Sequence, residues 1–136
     1  MPELPEVETI RRGLAEHLVG DTIEKIVLMR NDIICGDADD FVASVTGERV
    51  VDTGRRGKVL WLELGGGTGM GVHLRMSGRL LLMPRTAQVP KHTHLVAKLG
   101  SGRQLLYVDT RRFGRLELLE LHHLDEAVLL RNIGPD

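Results

Sequence analysis

The sequence predicts a mainly β fold with flanking helices: an antiparallel two-layer β-sandwich or a flattened barrel, with an N-terminal helix and a C-terminal helix. From Arg49 to Leu119, short apolar segments alternate with glycine-containing turns, which is typical of consecutive strands. On either side of this region, apolar residues recur at steps of three or four, as on one face of a helix. The 136 residues fit a single domain.

The first helix is predicted over residues 5–18. Pro5 suits the first turn, where its missing N–H would have no partner, and Glu6 suits the positive end of the helix dipole. Gly20-Asp21 ends the helix. One face of it is apolar, formed by Leu4, Val7, Leu14 and Leu18.

Strands are predicted at residues 22–30, 50–53, 59–64, 71–76, 79–83, 94–99, 104–108 and 115–119, and a short helix after the acidic residues 37–40. The strands at 71–76 and 79–83 are expected to pair as a hairpin, as are those at 94–99 and 104–108. A second helix is predicted at Leu124–Arg131 and ends at Asn132–Pro135. This ending indicates a domain boundary.

The composition indicates in which cellular compartment the protein is expected. No apolar run approaches the about 20 residues that a membrane span needs, and the acidic N-terminus does not resemble a secretory signal. A single cysteine, Cys35, permits no internal disulfide and no cysteine-rich zinc site. These features favour a cytoplasmic protein.

The net charge of −1 conceals a strong asymmetry. Residues 49–115, here called the basic middle, hold 13 Lys and Arg against 3 Asp and Glu, whereas the flanks hold 5 against 16. A region of this charge indicates binding of a polyanion. The alternative is a sheet face that carries scattered, solvated arginines.

Two further patterns favour neither a nucleotide nor a metal. The glycine-rich residues 65–71 lack a following Lys-Ser/Thr and open a strand, unlike a phosphate-binding loop. His92 and His94 form a possible metal pair, but no third ligand is suitably spaced, so loop histidines or a phosphate contact are favoured.

Three basic turns are predicted, at residues 55–58, 75–79 and 111–115. The second and third place Met76 and Phe113 beside arginine and glycine. An apolar side chain at a turn tip has a use on DNA, where it wedges between bases. The alternative is that both side chains are core residues at strand ends.

The N-terminus combines two reactive groups. The small residue Pro2 favours removal of Met1, which would leave a free secondary amine, and the carboxylate of Glu3 follows it. On these residues alone, a capped helix with a frayed terminus is the favoured interpretation.

Five segments together resemble the formamidopyrimidine-DNA glycosylases: Pro-Glu-Leu-Pro-Glu-Val-Glu-Thr at 2–9, Arg-Arg-Gly-Lys at 55–58, His-Leu-Arg-Met-Ser-Gly at 73–78, His-Thr-His at 92–94 and Asp-Thr-Arg-Arg-Phe-Gly at 109–114. Leu4 and the surroundings of Met76 favour the oxidised-purine branch over the endonuclease VIII group. The resemblance implies that residues 1–136 are the N-terminal catalytic domain of a bifunctional glycosylase and abasic-site lyase.

The resemblance also implies roles for individual residues. Pro2 would attack the sugar C1′ and form a Schiff base, Glu3 would act as acid and base on the sugar, Glu6 would support Glu3, and Lys58 would assist strand cleavage by β-elimination.

On the DNA side, the resemblance implies two groups of contacts. Met76, Arg111 and Phe113 would fill the gap left by the extruded nucleotide, with Arg111 facing the orphaned cytosine. His73, His92 and Arg112 would hold phosphates. The partner would be double-stranded DNA containing oxidised bases, bound by a monomer.

This sequence departs from the usual pattern in two ways. Arg75, Thr93 and Thr110 stand where Gly, Asp and Pro are common, which affects the expected turn geometry. The helical domain and the zinc finger of the family do not lie within these residues, so this chain has no predicted cofactor or metal, and zinc is expected in that finger. The isolated domain is expected to bind DNA weakly and to have little or no activity.

Two other functions fit parts of the sequence. A non-catalytic module for distorted or damaged DNA would use the basic middle without sugar chemistry. An N-terminal-proline tautomerase would use Pro2 but would leave the turns that carry Met76 and Phe113 without a role.

Overall fold

In the described part of the chain, nine strands form two sheets that pack on an apolar core, which confirms the predicted sandwich. The structure is a computed structural model and describes residues 2–131. The predicted removal of Met1 and the helix end at Asn132–Pro135 lie outside these residues. The helices and strands are α1 (Leu4–Leu18), β1 (Ile23–Leu28), β2 (Ile34–Cys35), α2 (Ala38–Val45), β3 (Val50–Arg56), β4 (Val59–Leu64), β5 (Thr68–His73), β6 (Gly78–Pro84), β7 (Thr93–Leu99), β8 (Arg103–Asp109) and β9 (Arg115–Glu120).

The first sheet has the strand order β1-β7-β8-β6 and the second has the order β2-β9-β5-β4-β3. All pairs are antiparallel except that of the two-residue strand β2 with β9, which is parallel. Both orders are open, so the structure is the sandwich and not the flattened barrel that the sequence also allowed.

The core between the sheets consists mainly of branched aliphatic side chains, with Phe41, Met70 and Tyr107 among the larger members. The helix α1 packs on β3 through its predicted apolar stripe, of which Val7, Leu14 and Leu18 are buried. Leu4 is exposed. Because α1 is anchored on the sheet, the position of residues 2 and 3, which precede it, is also fixed.

The predicted hairpin of residues 71–76 and 79–83 is wrong. β5 pairs with β4 and β9 in one sheet, whereas β6 pairs with β8 in the other. The segment between them is a crossover, closed by a 3.0 Å hydrogen bond from the Gly78 N–H to the Leu74 carbonyl. Turn residues indicate a change of direction but do not specify the sheet in which the chain continues. The hairpin of β7 and β8 is confirmed.

The C-terminal helix predicted at Leu124–Arg131 is present as two 3-10 segments and not as one continuous helix. Residues Leu121–Glu126 and Val128–Leu130 are 3-10 segments, separated by the extended residue Ala127. The Glu117 carboxylate accepts hydrogen bonds of 2.9 Å from the N–H groups of Val128 and Leu129. These bonds and the burial of Ala127, Leu129 and Leu130 against β4 and β9 determine the path of the chain.

Within residues 2–131, no helix is both long and apolar enough to cross a membrane.

Candidate functional site

The N-terminal residues form the first part of the candidate site. Glu3 precedes α1, and its backbone N–H donates to the Glu6 carboxylate over 3.4 Å. The Glu3 side chain is 75% exposed and is therefore available to a ligand. Pro2 and Glu6 line one side of an open cavity of about 320 Å³. The other side of this cavity is the crossover turn with Met76.

Lys58 lies next to these groups, although 55 positions separate it from Glu3 in the sequence. Its ammonium is 4.0 Å from a Glu3 carboxylate oxygen, and its side chain is 33% exposed. It follows Gly57, whose φ of +57° turns the chain from β3 into β4. The fold therefore brings all four residues with predicted chemical roles (Pro2, Glu3, Glu6 and Lys58) to one edge of the domain.

Arg55 and Arg56 do not belong to the turn that the sequence predicted, because β3 continues through both. Arg55 donates to the Glu8 carboxylate over 3.0 Å, and Arg56 pairs with Asp125 over 2.8 Å. Hydrogen bonds from Arg11, followed by those from Arg55, hold the pKa of Glu8 well below its ordinary value. Both arginines thus form intramolecular ion pairs, and Lys58 is the basic residue that faces Glu3.

Met76 and Phe113 are 54% and 50% exposed, so their interpretation as core residues is wrong. Together with Arg75 and Arg115 they line an open cavity of about 420 Å³. A guanidinium nitrogen of Arg111 lies 3.9 Å from the Met76 sulfur. The two turns therefore present Met76, Arg111 and Phe113 as one exposed group.

A buried carboxylate joins these two turns. Asp109 is fully buried at the end of β8 and accepts hydrogen bonds from the Ser77 hydroxyl, from the Tyr107 hydroxyl over 2.6 Å and from the Gly114 N–H over 2.9 Å. The Arg111 N–H also lies 3.3 Å from it. Burial opposes ionisation of Asp109, but these hydrogen bonds outweigh it and lower its pKa. Asp109 therefore fixes the turn of Met76 relative to the loop of Arg111 and Phe113.

Three residues without glycine's freedom adopt left-handed backbone around this group: Arg75 (φ +53°), His92 (φ +67°) and Arg112 (φ +58°). Such conformations cost about 1–2 kcal/mol for a residue with a β-carbon. All three are exposed. Strain is thus concentrated in the turns that the sequence assigns to DNA contacts.

His73 is the last residue of β5, and the positive charges of Arg75 and Lys58 act on it. Burial, followed by the charges of Arg75 and Lys58, lowers the pKa of His73, so its ring is neutral at pH 7. Its Nε2 is enclosed and has no hydrogen-bond partner among residues 2–131. A neutral imidazole of this kind can serve as a hydrogen-bond donor to an anion without adding charge.

His92 and His94 do not form a metal pair. His94 is buried and its Nε2 lies 2.8 Å from the Asp109 carbonyl, whereas His92 lies exposed before β7. No group of three His, Cys, Asp or Glu in the described part of the chain is arranged to hold a metal.

Sequence reasoning missed Asp109, Tyr107 and Ser77 as parts of this site. One signal was present, because Asp109 is one of only three acidic residues in the basic middle. An acid that follows a buried strand and precedes Arg111-Arg112 suggests a structural anchor for that loop.

Comparisons with known proteins agree on one family. Residues 1–116 match the model of the formamidopyrimidine-DNA glycosylase N-terminal domain. Formamidopyrimidine-DNA glycosylases of Latilactobacillus sakei and Halorhodospira halophila are 38% and 43% identical to the chain over 136 residues, which is all of this chain and 49% and 50% of those proteins. The chain thus spans about half the length of the relatives it matches.

Solved structures agree with this result. A crystal structure of the Lactococcus lactis Fpg with DNA containing an abasic site has a TM-score of 0.92 at 36% identity and covers 99% of this chain and 50% of that one. A structure of MutM with DNA containing carbocyclic 8-oxo-G has a TM-score of 0.91 at 36% identity, with 99% and 51% covered.

Proposed function

Because this chain belongs to the formamidopyrimidine-DNA glycosylase family, we propose that it is the catalytic half of a bifunctional enzyme of base-excision DNA repair. The enzyme removes oxidised purines, such as 8-oxoguanine and formamidopyrimidines, and then cleaves the abasic site. The observation that carries the proposal is the convergence of Pro2, Glu6 and the Met76 turn on one cavity, with Lys58 beside Glu3.

Pro2 is the proposed nucleophile. Once Met1 is removed, its secondary amine attacks the sugar C1′, the base leaves, and ring opening gives a Schiff base. The amine must be unprotonated to attack, so it needs a nearby base. Glu3, one residue away and largely exposed, fills this role and exchanges protons with the sugar. The hydrogen bond from the Glu3 backbone to Glu6 holds this short segment against the start of α1.

Lys58 is proposed to assist the lyase step. β-Elimination removes a proton from C2′ and expels the 3′ phosphate as an anion. A cation at the edge of the site stabilises that anion. Lys58 is the cation that pairs with Glu3, and its half-buried side chain keeps the ammonium at this edge of the site.

The exposed group of Met76, Arg111 and Phe113 is proposed to enter the duplex. Extrusion of a nucleotide costs a few kcal/mol, and apolar side chains in the vacated space offset part of this cost. Arg111 would hydrogen-bond the orphaned cytosine, and His73, His92 and Arg112 would bind phosphates. The structural relatives with DNA containing FAPY-dG and 8-oxo-G support an oxidised purine as the substrate.

The remaining length of the relatives suggests where the rest of the enzyme lies. We propose that a helical unit and a zinc finger follow this domain, that zinc belongs to that finger, and that the enzyme acts as a monomer on DNA in the bacterial cytoplasm. On its own, the present domain would bind DNA weakly and have little or no activity.

Borohydride trapping tests the proposed chemistry. The full-length protein, freed of Met1, is incubated with a duplex that contains 8-oxoguanine opposite cytosine, and reduction should give a covalent adduct. Pro2→Gly should reduce the yield strongly, whereas Pro5→Ala, which changes a neighbouring proline, should retain it. Absence of an adduct from the unchanged protein, or equal trapping by Pro2→Gly, would contradict the nucleophile assignment.

The second candidate is a non-catalytic module that binds distorted duplex, which the exposed Met76 and Phe113 would also support. It predicts salt-dependent binding to an abasic duplex and no trapped adduct under any condition. The same assay therefore separates the two functions.

A further inference from the structure

Arg75 has a backbone conformation that its side chain does not explain. Its φ of +53° lies in the left-handed region, which glycine adopts without strain and arginine does not. Asparagine and aspartate tolerate this region because their short side chains bond locally, but the Arg75 guanidinium has no hydrogen bond or ion pair among residues 2–131. The fold therefore holds a strained residue whose side chain contributes no intramolecular bond.

The charge of Arg75 is also unfavourable within the domain. It lines an open cavity with Met76, Phe113 and a second arginine, Arg115. Its field reaches His73, where it acts together with that of Lys58. Arg75 thus adds positive charge where the protein already concentrates it, and no described carboxylate pairs with it.

A ligand that supplies negative charge offsets repulsion of this kind, and strained backbone is found mainly at functional sites. Building on the proposed function, we propose that Arg75 binds a DNA phosphate next to the point where Met76 enters the duplex. Arg75 is exposed, and Met76, the next residue, is exposed on the same turn. A single turn would then bind the DNA backbone through Arg75 and separate stacked bases through Met76.

This inference predicts that folding stability and DNA affinity change in opposite directions. Arg75→Gly relieves the backbone strain, so the Tm should stay the same or rise by about 2–6 °C. The same change should weaken binding to a duplex with an abasic-site analogue about 3- to 10-fold and make the slope of log K against log salt concentration less steep by about 0.9.

Three further variants separate charge from backbone. Arg75→Asn removes the charge but tolerates the turn, so it should bind DNA like Arg75→Gly. Arg75→Lys keeps the charge, so it should retain the salt dependence of the unchanged protein. Arg85→Gln is the matched control, because Arg85 follows the opposite end of β6 and is paired with Glu24 over 2.9 Å. It should leave the slope unchanged. The loss for Arg75→Gly should be equal with cytosine or adenine opposite the site, since a phosphate carries no sequence information.

Two results would overturn the inference in distinguishable ways. If the unchanged full-length protein binds duplex and both Arg75→Gly and Arg75→Asn bind with the same slope as it does, Arg75 does not contact phosphate, and the proposed function stands. If the unchanged full-length protein does not bind duplex at any salt concentration, the proposed function fails, and this inference fails with it.

Discussion

At the scale of the residue, Asp109 is the side chain on which the candidate interface depends most. It is buried without a cation, and neutral donors from Ser77, Tyr107 and Gly114 stabilise its charge. Hydrogen bonds to a charged group contribute about 1.5–3 kcal/mol each, and more is lost when one partner is removed. The three donors lie at different positions around the two exposed turns, so the carboxylate fixes the position of one turn relative to the other.

Asp109→Asn should lower the free energy of unfolding by about 2–4 kcal/mol at pH 7, because its amide nitrogen would face donors. Urea titrations measure this value. Since the pKa of Asp109 is lowered on folding, its contribution is present above the unfolded value near 4 and is lost as pH falls through the lower folded pKa. The variant should therefore lose less stability between pH 5 and pH 2. Asp39→Asn, at an exposed position, should behave like the unchanged protein; an equal loss there would refute the assignment.

Gly114 allows a close approach that no other residue would. A β-carbon there would clash with the Tyr107 hydroxyl and lie 2.8 Å from the His73 carbonyl. Gly114→Ala should therefore lower the Tm by several degrees, about 2 kcal/mol or more. Gly13→Ala is the matched control, because a β-carbon at this position in α1 meets nothing within 4 Å. It should raise stability by about 0.5–1 kcal/mol. Calorimetry that gives both variants the same sign would contradict this account.

At the scale of the element, the segment after β9 shows how one side chain replaces a regular helix. Glu117 lies on β9 and accepts from two consecutive N–H groups, Val128 and Leu129. In a helix these groups would be early donors without partners. The carboxylate satisfies them beside the strand, so the chain forms 3-10 turns packed on Trp61 and Leu119 instead of an α-helix.

Glu117→Ala should detach this segment, because both N–H groups would lose their acceptor. We expect a loss of about 1–3 kcal/mol, with fast hydrogen exchange of the Val128 and Leu129 amides while the β4 amides remain protected. Glu117→Gln should be intermediate, since it retains one acceptor oxygen. Glu120→Ala, at the exposed end of the same strand, should leave both amides protected. Unchanged exchange in Glu117→Ala would refute this role.

At the scale of the whole molecule, the fold sorts the positive charges. The acidic flanks neutralise several basic residues of the basic middle: Arg55 pairs with Glu8, Arg56 with Asp125, Arg85 with Glu24 and Arg103 with Asp21. No ion pair involves Arg75, Arg111 or Arg112 within residues 2–131. These three unpaired arginines neighbour Met76 and Phe113 in the chain, which favours an anion site at the two exposed turns.

Duplex binding should accordingly depend steeply on salt, although the net charge is −1. The slope of log K against log salt should be about −0.9 for each phosphate that is neutralised. Arg112→Gln should reduce its magnitude by about 0.9, whereas Arg103→Gln, which removes a charge already paired with Asp21, should not. Fluorescence anisotropy over about 20–200 mM salt measures both slopes. Equal slopes for the two variants would contradict the sorting of charges.

The sequence by itself determined α1 and most strand positions and indicated several residues of the candidate site, because helix periodicity, turn chemistry and the family motifs are local properties. The tertiary structure alone decided which sheet receives β6, that 3-10 turns replace the last helix, and which arginines remain unpaired. These features depend on contacts between distant residues, such as Ser77 with Asp109 and Arg56 with Asp125. A local sequence pattern does not specify the distant residue with which a buried carboxylate or a surface arginine pairs after folding. The meeting of Pro2, Lys58 and Met76 at one edge is a property of the packed sheets.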